Sequence, residues 1–231
     1  MISQEKNQKG VVISFGVFDG VHIGHQALIR RLLNRAKELG VESVVLTFDP
    51  HPALSTKGKA PPSITTIEKK IELLKSYGVD RVIVEDFNDQ FSQLSPEEFV
   101  RDILVGKLHA KNIVVGYDCA FGKDRAGDKW LLMDLGDKYD VPVDIIEPYN
   151  LDSDAVSSTR LRNAIQQGDL EMTNKLLGRF IQYRELLSLV RALVTKLGVQ
   201  PPTYKHKTRS YRHLAFMRSG LLLENNPLME S

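Results

Sequence analysis

Two histidines, His22 and His25, stand three positions apart in the run V-H-I-G-H-Q. An imidazole can donate a hydrogen bond to a phosphate oxygen, more strongly when protonated. Gly24 between them lets a phosphate come close to the backbone. Alone, such a pair reads as a surface helix cap. Zinc is the other bland reading, but no third ligand lies nearby and H-E-x-x-H is absent. The setting turns the reading toward a nucleotide phosphate. Val11, Val12, Ile13 and Phe15 form a β-branched apolar run that predicts a buried parallel strand. Gly16, Gly20 and Gly24 punctuate the turn after it, and Leu28, Leu32, Ala36 and Leu39 then recur at helical spacing until Gly40. A strand, a glycine turn and a helix N-terminus leave backbone N–H groups free at the positive end of a helix dipole. The turn is neither G-x-x-x-x-G-K-[ST] nor G-x-G-x-x-G.

A second group is Ser157, Ser158 and Thr159, followed by Arg160 and Arg162 at the start of a predicted helix. Hydroxyls at a helix start ordinarily cap it. Three of them with two arginines also describe a clamp for a triphosphate. A third group, Asp49-Pro50-His51-Pro52, ends the predicted strand Ser43–Phe48. The prolines stop the strand and stiffen the loop at its carboxyl end, where open α/β sheets bind ligands. A plain turn is the alternative there. The fourth group is Gly116-Tyr117-Asp118-Cys119-Ala120-Phe121-Gly122, after a predicted strand Asn112–Val115; it would expose an acid and two aromatics to the same cleft.

The elements that must position these groups alternate along the chain. Thr65-Thr66-Ile67-Glu68 predicts a capping box opening a helix that runs to Tyr77 and closes at Gly78. Ala53–Thr65 ahead of it reads as a mobile flap. Arg81–Val84 and Val143–Ile146 complete a set of about five strands. Ser95-Pro96-Glu97-Glu98 is a second capping box, and its helix carries Phe99, Ile103, Leu104 and Leu108 on one face. Gly168-Asp169 parts the Ser157 helix from a last short one ending at Gly178. Strands alternating with helices predict an α/β fold with a doubly wound parallel sheet.

At 231 residues the chain can bury one good core with a small appendage. A formal charge of +2 is too small to make a nucleic-acid binder by itself. One cysteine, Cys119, excludes an internal disulfide and fits a reducing cytoplasm. The opening MISQEKNQKG lacks a signal-peptide core, and no apolar run approaches a membrane span.

Together the blocks GVFDGVHIGH, LTFDPHP, LSPEEFV, VVGYDCAFGKDRAGD, VSSTRLR and LLGR resemble, in order and spacing, the adenylyltransferase module of bacterial FAD synthetases. The resemblance covers roughly residues 11–179. H-x-G-H with S-S-T-x-x-R marks the wider nucleotidyltransferase superfamily; FDPHP and G-Y-D-x-x-F-G narrow it to the flavin branch. It implies a Rossmann-like sheet and the reaction of FMN with ATP to give FAD and pyrophosphate, with Mg2+. It places Gly16, Phe18, Asp19, Gly24, Ser157, Ser158, Thr159 and Arg162 at ATP. His22, His25 and Arg162 would carry the chemistry, and Asp49, Pro50, His51, Pro52, Asp118 and Phe121 would take FMN. Magnesium ligands are not identified. Cys119 and Ala120 depart from the family pattern, which weakens flavin stacking there. No riboflavin kinase motif follows Arg179, so a second, kinase activity is not expected.

This reading divides the chain into an arm at 1–10, a catalytic domain at 11–179 and a tail at 180–231. In the tail, Tyr183, Leu186, Leu187, Val190, Leu193, Val194 and Leu197 predict an amphipathic helix stopped by Gly198 and Pro201. Lys205, Lys207, Arg209, Arg212 and Arg218 come next, interleaved with tyrosines; a solvated end is the common reading and an RNA-binding tail the rarer one. Two rival functions therefore stand beside adenylyl transfer to FMN. One is another H-x-G-H transferase with a different phosphorylated acceptor, and the other is a flavin-responsive binding protein with a basic, RNA-binding tail.

Overall fold

A computed structural model describes residues 9–54 and 58–181. The expected tail helix at 183–197, the basic stretch after it and most of the N-terminal arm lie outside these residues.

The central strand β1 (Val11–Phe15) is buried on both faces, as its unbroken apolar run requires. It lies between β2 (Glu42–Asp49) and β4 (Ala110–Gly116), with β3 (Arg81–Asp86) outside β2 and β7 (Val143–Ile146) outside β4. All four pairings are parallel. The chain leaves β1 toward β2 and β3, then crosses back to β4 and β7, so the strand order reverses at β1. The carboxyl edge at such a reversal is the usual ligand position in open parallel sheets.

Two helices cover one face: α1 (Ile23–Leu39) and α2 (Ile67–Ser76). Leu28, Ile29, Leu32 and Ala36 of α1 and Leu73 and Leu74 of α2 pack there on Val12, Val45 and Val114. Leu39, at the end of the expected stripe, is left exposed beside Gly40, which turns left-handed and closes α1. The alternate strand residues Val11, Ile13 and Phe15 face the other way, as the pleat dictates.

That second face is covered after a single turn, α3 (Asp89–Ser92), by α4, which opens at Pro96–Glu98 and continues over Phe99–Lys107. The Ser95–Glu98 capping box forms as expected. The body of α4 differs from expectation: it is wound as a π-helix, and Leu108 N–H donates to the Ile103 carbonyl, five residues back. This winding buries Phe99, Val100, Ile103 and Leu104 together. The short pair β5 (Ala120–Phe121) and β6 (Gly127–Asp128) leads into α5 (Lys129–Lys138) on the same side.

After β7, the hairpin β8 (Asn150–Leu151) and β9 (Asp154–Ala155) feeds α6 (Ser158–Gln167) and α7 (Leu170–Leu177). These last helices do not cover the sheet. Leu161, Ile165, Leu176 and Leu177 form a separate cluster with Ile64. Each fully buried leucine there contributes about 1.5–3 kcal/mol, enough to hold α6 and α7 beside the β1–α1 turn. No helix among the described residues is long and apolar enough to cross a membrane.

Candidate active site

His22 is the N-cap of α1. Its Nδ1 accepts from the His25 N–H at 3.3 Å, and its ring stacks on that of His25 with centroids 3.7 Å apart. The cap has a chemical consequence. With Nδ1 accepting, the neutral ring carries its proton on Nε2, which becomes a donor. Burial pushes the His22 pKa down to about 4, against a smaller upward pull from Asp19. Burial, with the charges of His22 and Lys70, also holds His25 well below the usual histidine range. Both rings are thus neutral near pH 7, not imidazolium. The His25 Nδ1 is enclosed and has no hydrogen-bond partner among the described residues. A buried orphan at a helix N-terminus calls for a ligand. A Cβ at Gly24 would stand 3.2 Å from the His22 ring and crowd it.

Asp19 is the hub of the turn. Its carboxylate accepts from the N–H groups of Ile64 and Thr65, from the Thr65 hydroxyl and from Arg162 Nη2, the last at 2.6 Å. The ion pair is well shielded, with the two side chains only 4% and 12% exposed. The Thr65 hydroxyl in turn accepts from Gly20 N–H. That engagement corrects the expected helix start: Thr65 is drawn to Asp19, and Thr66 caps α2 in its place. It also ties down the carboxyl end of the expected flap, since Arg162 Nε donates to the Pro62 carbonyl as well.

The α6 clamp is only partly turned to the site. Ser157 caps the helix, and the Ser158 hydroxyl donates to the Asp19 carbonyl at 2.9 Å. Thr159 is exposed. Arg160 points elsewhere, donating to the Leu151 and Asp154 carbonyls of the β8–β9 hairpin. The N-termini of α1 and α6 nevertheless meet: the Val156 carbonyl is 3.6 Å from where a Gly24 Cβ would stand. Neither helix has an acid in its first turn.

On the β2 side a cavity of about 340 Å³ is lined by Val17, Asp19, Phe48, Asp49, His51 and Lys70 among others. His51 Nδ1 accepts from Ala53 N–H, and burial lowers its pKa. The group after β4 is arranged otherwise than expected. Asp118 is exposed, but Phe121 is buried, its ring packed edge-on against Phe15 and tilted on Phe99. Phe121 is therefore part of the core and does not line a cleft; an apolar ring gains more from that aromatic cluster than from water. Phe18 is likewise buried, 5.1 Å from the His25 ring.

Sequence reasoning passed over Lys70, Gln26 and Thr47. Lys70 is 5% exposed and donates to the Thr47 hydroxyl at 3.3 Å. Its signal was present: it stands three and four residues before Leu73 and Leu74, so a charge falls on the apolar stripe of α2. Gln26 Nε2 donates to the carbonyls of Val21 and Leu177, fastening α7 to the turn. Among the described residues no three His, Cys, Asp or Glu side chains gather as a metal site.

Comparison with known proteins agrees with the motifs. Residues 4–160 match the family model described as FAD synthetase. The chain is 42% identical over 170 residues to a bifunctional riboflavin kinase/FMN adenylyltransferase of Listeria monocytogenes, covering 72% of this chain and 53% of the relative. It is 36% identical over 201 residues to the protein of that name from Pseudomonas fluorescens, covering 87% and 65%. The chain thus spans little more than half the length of the first of these relatives. Among solved structures, one titled as a macrolide-efflux protein from Streptococcus pneumoniae superposes with a TM-score of 0.68 at 30% identity, over 78% of this chain and 59% of that one. With a family match across most of the described sheet module, the chain belongs to the FAD synthetase family.

Proposed function

We propose that the chain transfers the adenylyl group of ATP to the phosphate of FMN, giving FAD and pyrophosphate. The observation that carries this reading is the meeting of two acid-free helix N-termini, α1 and α6, beside two neutral histidines, His22 buried and His25 half-buried, the latter with an enclosed Nδ1 that has no partner among the described residues. A triphosphate is the natural occupant of two abutting positive helix ends. The names of the relatives add the acceptor, FMN.

In the reaction an oxygen of the FMN phosphate bonds to the α-phosphorus of ATP. The bond from that phosphorus to the α,β-bridging oxygen breaks, and pyrophosphate leaves with the electron pair. No base is needed, because a phosphate monoester is largely a dianion at pH 7. What remains for the protein is alignment and charge stabilisation. His22 Nε2–H and the His25 ring would donate to the α- and β-phosphates, where negative charge grows. Ser157, Ser158 and Thr159 would hold the departing phosphates at the α6 N-terminus, and Arg162 would join them by exchanging Asp19 for phosphate. Asp49, Pro50, His51 and Pro52 would face the flavin side, with Asp118 at its rim. Magnesium enters as part of the substrate, MgATP, whose phosphates supply most of its ligands. The single cysteine fits a cytoplasmic setting for this chemistry.

The test is to incubate the chain with ATP, magnesium and FMN and to separate flavins by chromatography. FAD should form together with one pyrophosphate, and riboflavin, which has no phosphate to attack, should not be adenylylated. A failure to make FAD at any magnesium concentration would refute the reading.

A further inference from the structure

Lys70 is a buried ammonium that the charges of Asp19 and Asp49 reach, but among the described residues no carboxylate forms an ion pair with it. The nearest buried acid, Asp19, already accepts from Ile64, Thr65 and Arg162. Asp49 is exposed. Among the described residues the hydrogen-bond partner of Lys70 is the Thr47 hydroxyl, whose own proton goes to the Val17 carbonyl at 3.1 Å. An ammonium has three donors, so two remain at the wall of the cavity that Lys70 helps to line. Burying a charged amine with donors unused is costly unless an anion arrives. A lysine with only a packing role would be better replaced by Met or Leu, since Leu73 and Leu74 share its stripe.

The position of this charge is as telling as its burial. The cavity joins the end of β1, through Val17 and Asp19, to the end of β2, through Phe48, Asp49 and His51. The Lys70 charge is felt both at His25, on the triphosphate side, and at His51, on the other. It therefore stands between the two proposed substrate halves, where an acceptor phosphate has to lie to reach the α-phosphorus.

On the reading given above, we propose that Lys70 binds the phosphate of the acceptor flavin and makes the site select FMN over riboflavin. The ammonium gains a charge-assisted bond from a phosphate dianion. Riboflavin offers a neutral hydroxyl in its place and leaves the amine unpaired.

The experiment uses the full chain and Lys70→Met, which keeps most of the length and an apolar stem and removes the charge. Flavin fluorescence titrations should show the unsubstituted chain preferring FMN to riboflavin by about tenfold or more. In Lys70→Met that preference should collapse while riboflavin affinity holds, and Lys70→Arg should keep most of it. In turnover KM for FMN should rise about tenfold, with KM for ATP little changed. Inorganic phosphate should compete with FMN, but not with riboflavin, on the unsubstituted chain, a measurement that needs no variant. Retention of the FMN preference in Lys70→Met, or a rise in KM for ATP alone, would overturn the assignment. If the unsubstituted chain made no FAD, the transferase reading would fall, while the flavin titrations would still decide whether Lys70 reads a phosphate.

Discussion

Replacing Asp19 by Asn separates two roles that the sequence cannot. The motif assigns Asp19 to ATP; in the structure its carboxylate is filled by protein donors from the flap end and from α6. Asparagine keeps one acceptor oxygen and turns an NH2 toward groups that already donate. It also removes the charge facing Arg162 across a 2.6 Å contact whose side chains are 4% and 12% exposed. Breaking a buried pair from one side costs about 3–5 kcal/mol, because the remaining charge is left uncompensated. Arg162 keeps its bond to the Pro62 carbonyl, so the lower end, about 3 kcal/mol, is expected. That is a large part of a total of roughly 5–15 kcal/mol. In a chain of this size it lowers the melting temperature by about 6–12 °C.

Calorimetry and ATP binding, measured on Asp19→Asn, should move together. Adding Arg162→Met removes the stranded charge and should return part of the lost stability, a coupling of roughly 0.5–3 kcal/mol. ATP binding would stay weak in that double variant, since the arginine is gone. The reasoning is refuted if Asp19→Asn melts within about 2 °C of the unsubstituted chain and yet loses ATP binding. Asp19 would then be a ligand and not a tie.

Two further outcomes are expected. His25→Ala should lower kcat by about 10²–10³, the loss usual for a preorganised donor at developing charge, while its effect on melting is confined to the lost ring packing on His22 and Phe18; near-normal turnover would leave it a packing group. His22 gives a pH dependence whose sign comes from its pKa being lowered from 6.5 to about 4. Unfolded His22 takes up a proton on acidification before the folded form does, so stability is lost as pH falls from about 6.5 to 4 and the loss levels off below. The loss amounts to roughly 3 kcal/mol. Urea midpoints of the unsubstituted chain and of His22→Asn, which can still cap α1, should diverge over that window; parallel curves would rule the origin out.

Much of the sheet was legible because its signals are local. Each β-branched run became a strand, and Gly40, Gly168 and Gly178 close α1, α6 and α7 in the left-handed conformation. Misread features depend on contacts far along the chain. Thr65 was expected to begin a capping box, but Asp19, forty-six positions earlier, takes its hydroxyl. Phe121 reads as an exposed ring until Phe15 and Phe99 are brought beside it. In H-x-G-H the alternatives were a cap or a phosphate donor. The structure makes His22 a cap, and by the same bond it frees Nε2–H as a donor, so the two are not exclusive.

The turn between β1 and α1 is strained, and the strain has a structural answer. Phe18 and Val21 have φ of 52° and 42°, a region costly for bulky and β-branched residues. Each such residue costs about 1–3 kcal/mol and persists only where its surroundings over-determine it. Four clamps do so here. Ser158 bonds the Asp19 carbonyl, Thr65 the Gly20 N–H, Arg179 the Gly20 carbonyl and Gln26 the Val21 carbonyl. Gly20 itself admits no side chain, because a Cβ would meet Leu161 at 2.8 Å. Three of the four clamps come from outside the turn and α1, and two of those lie in motif blocks of their own, VSSTRLR and LLGR. Those blocks hold the histidine turn in a shape that it would not keep alone. A substitution at Ser158 or Arg179 should therefore be felt at the His22–His25 stack even where it touches no substrate.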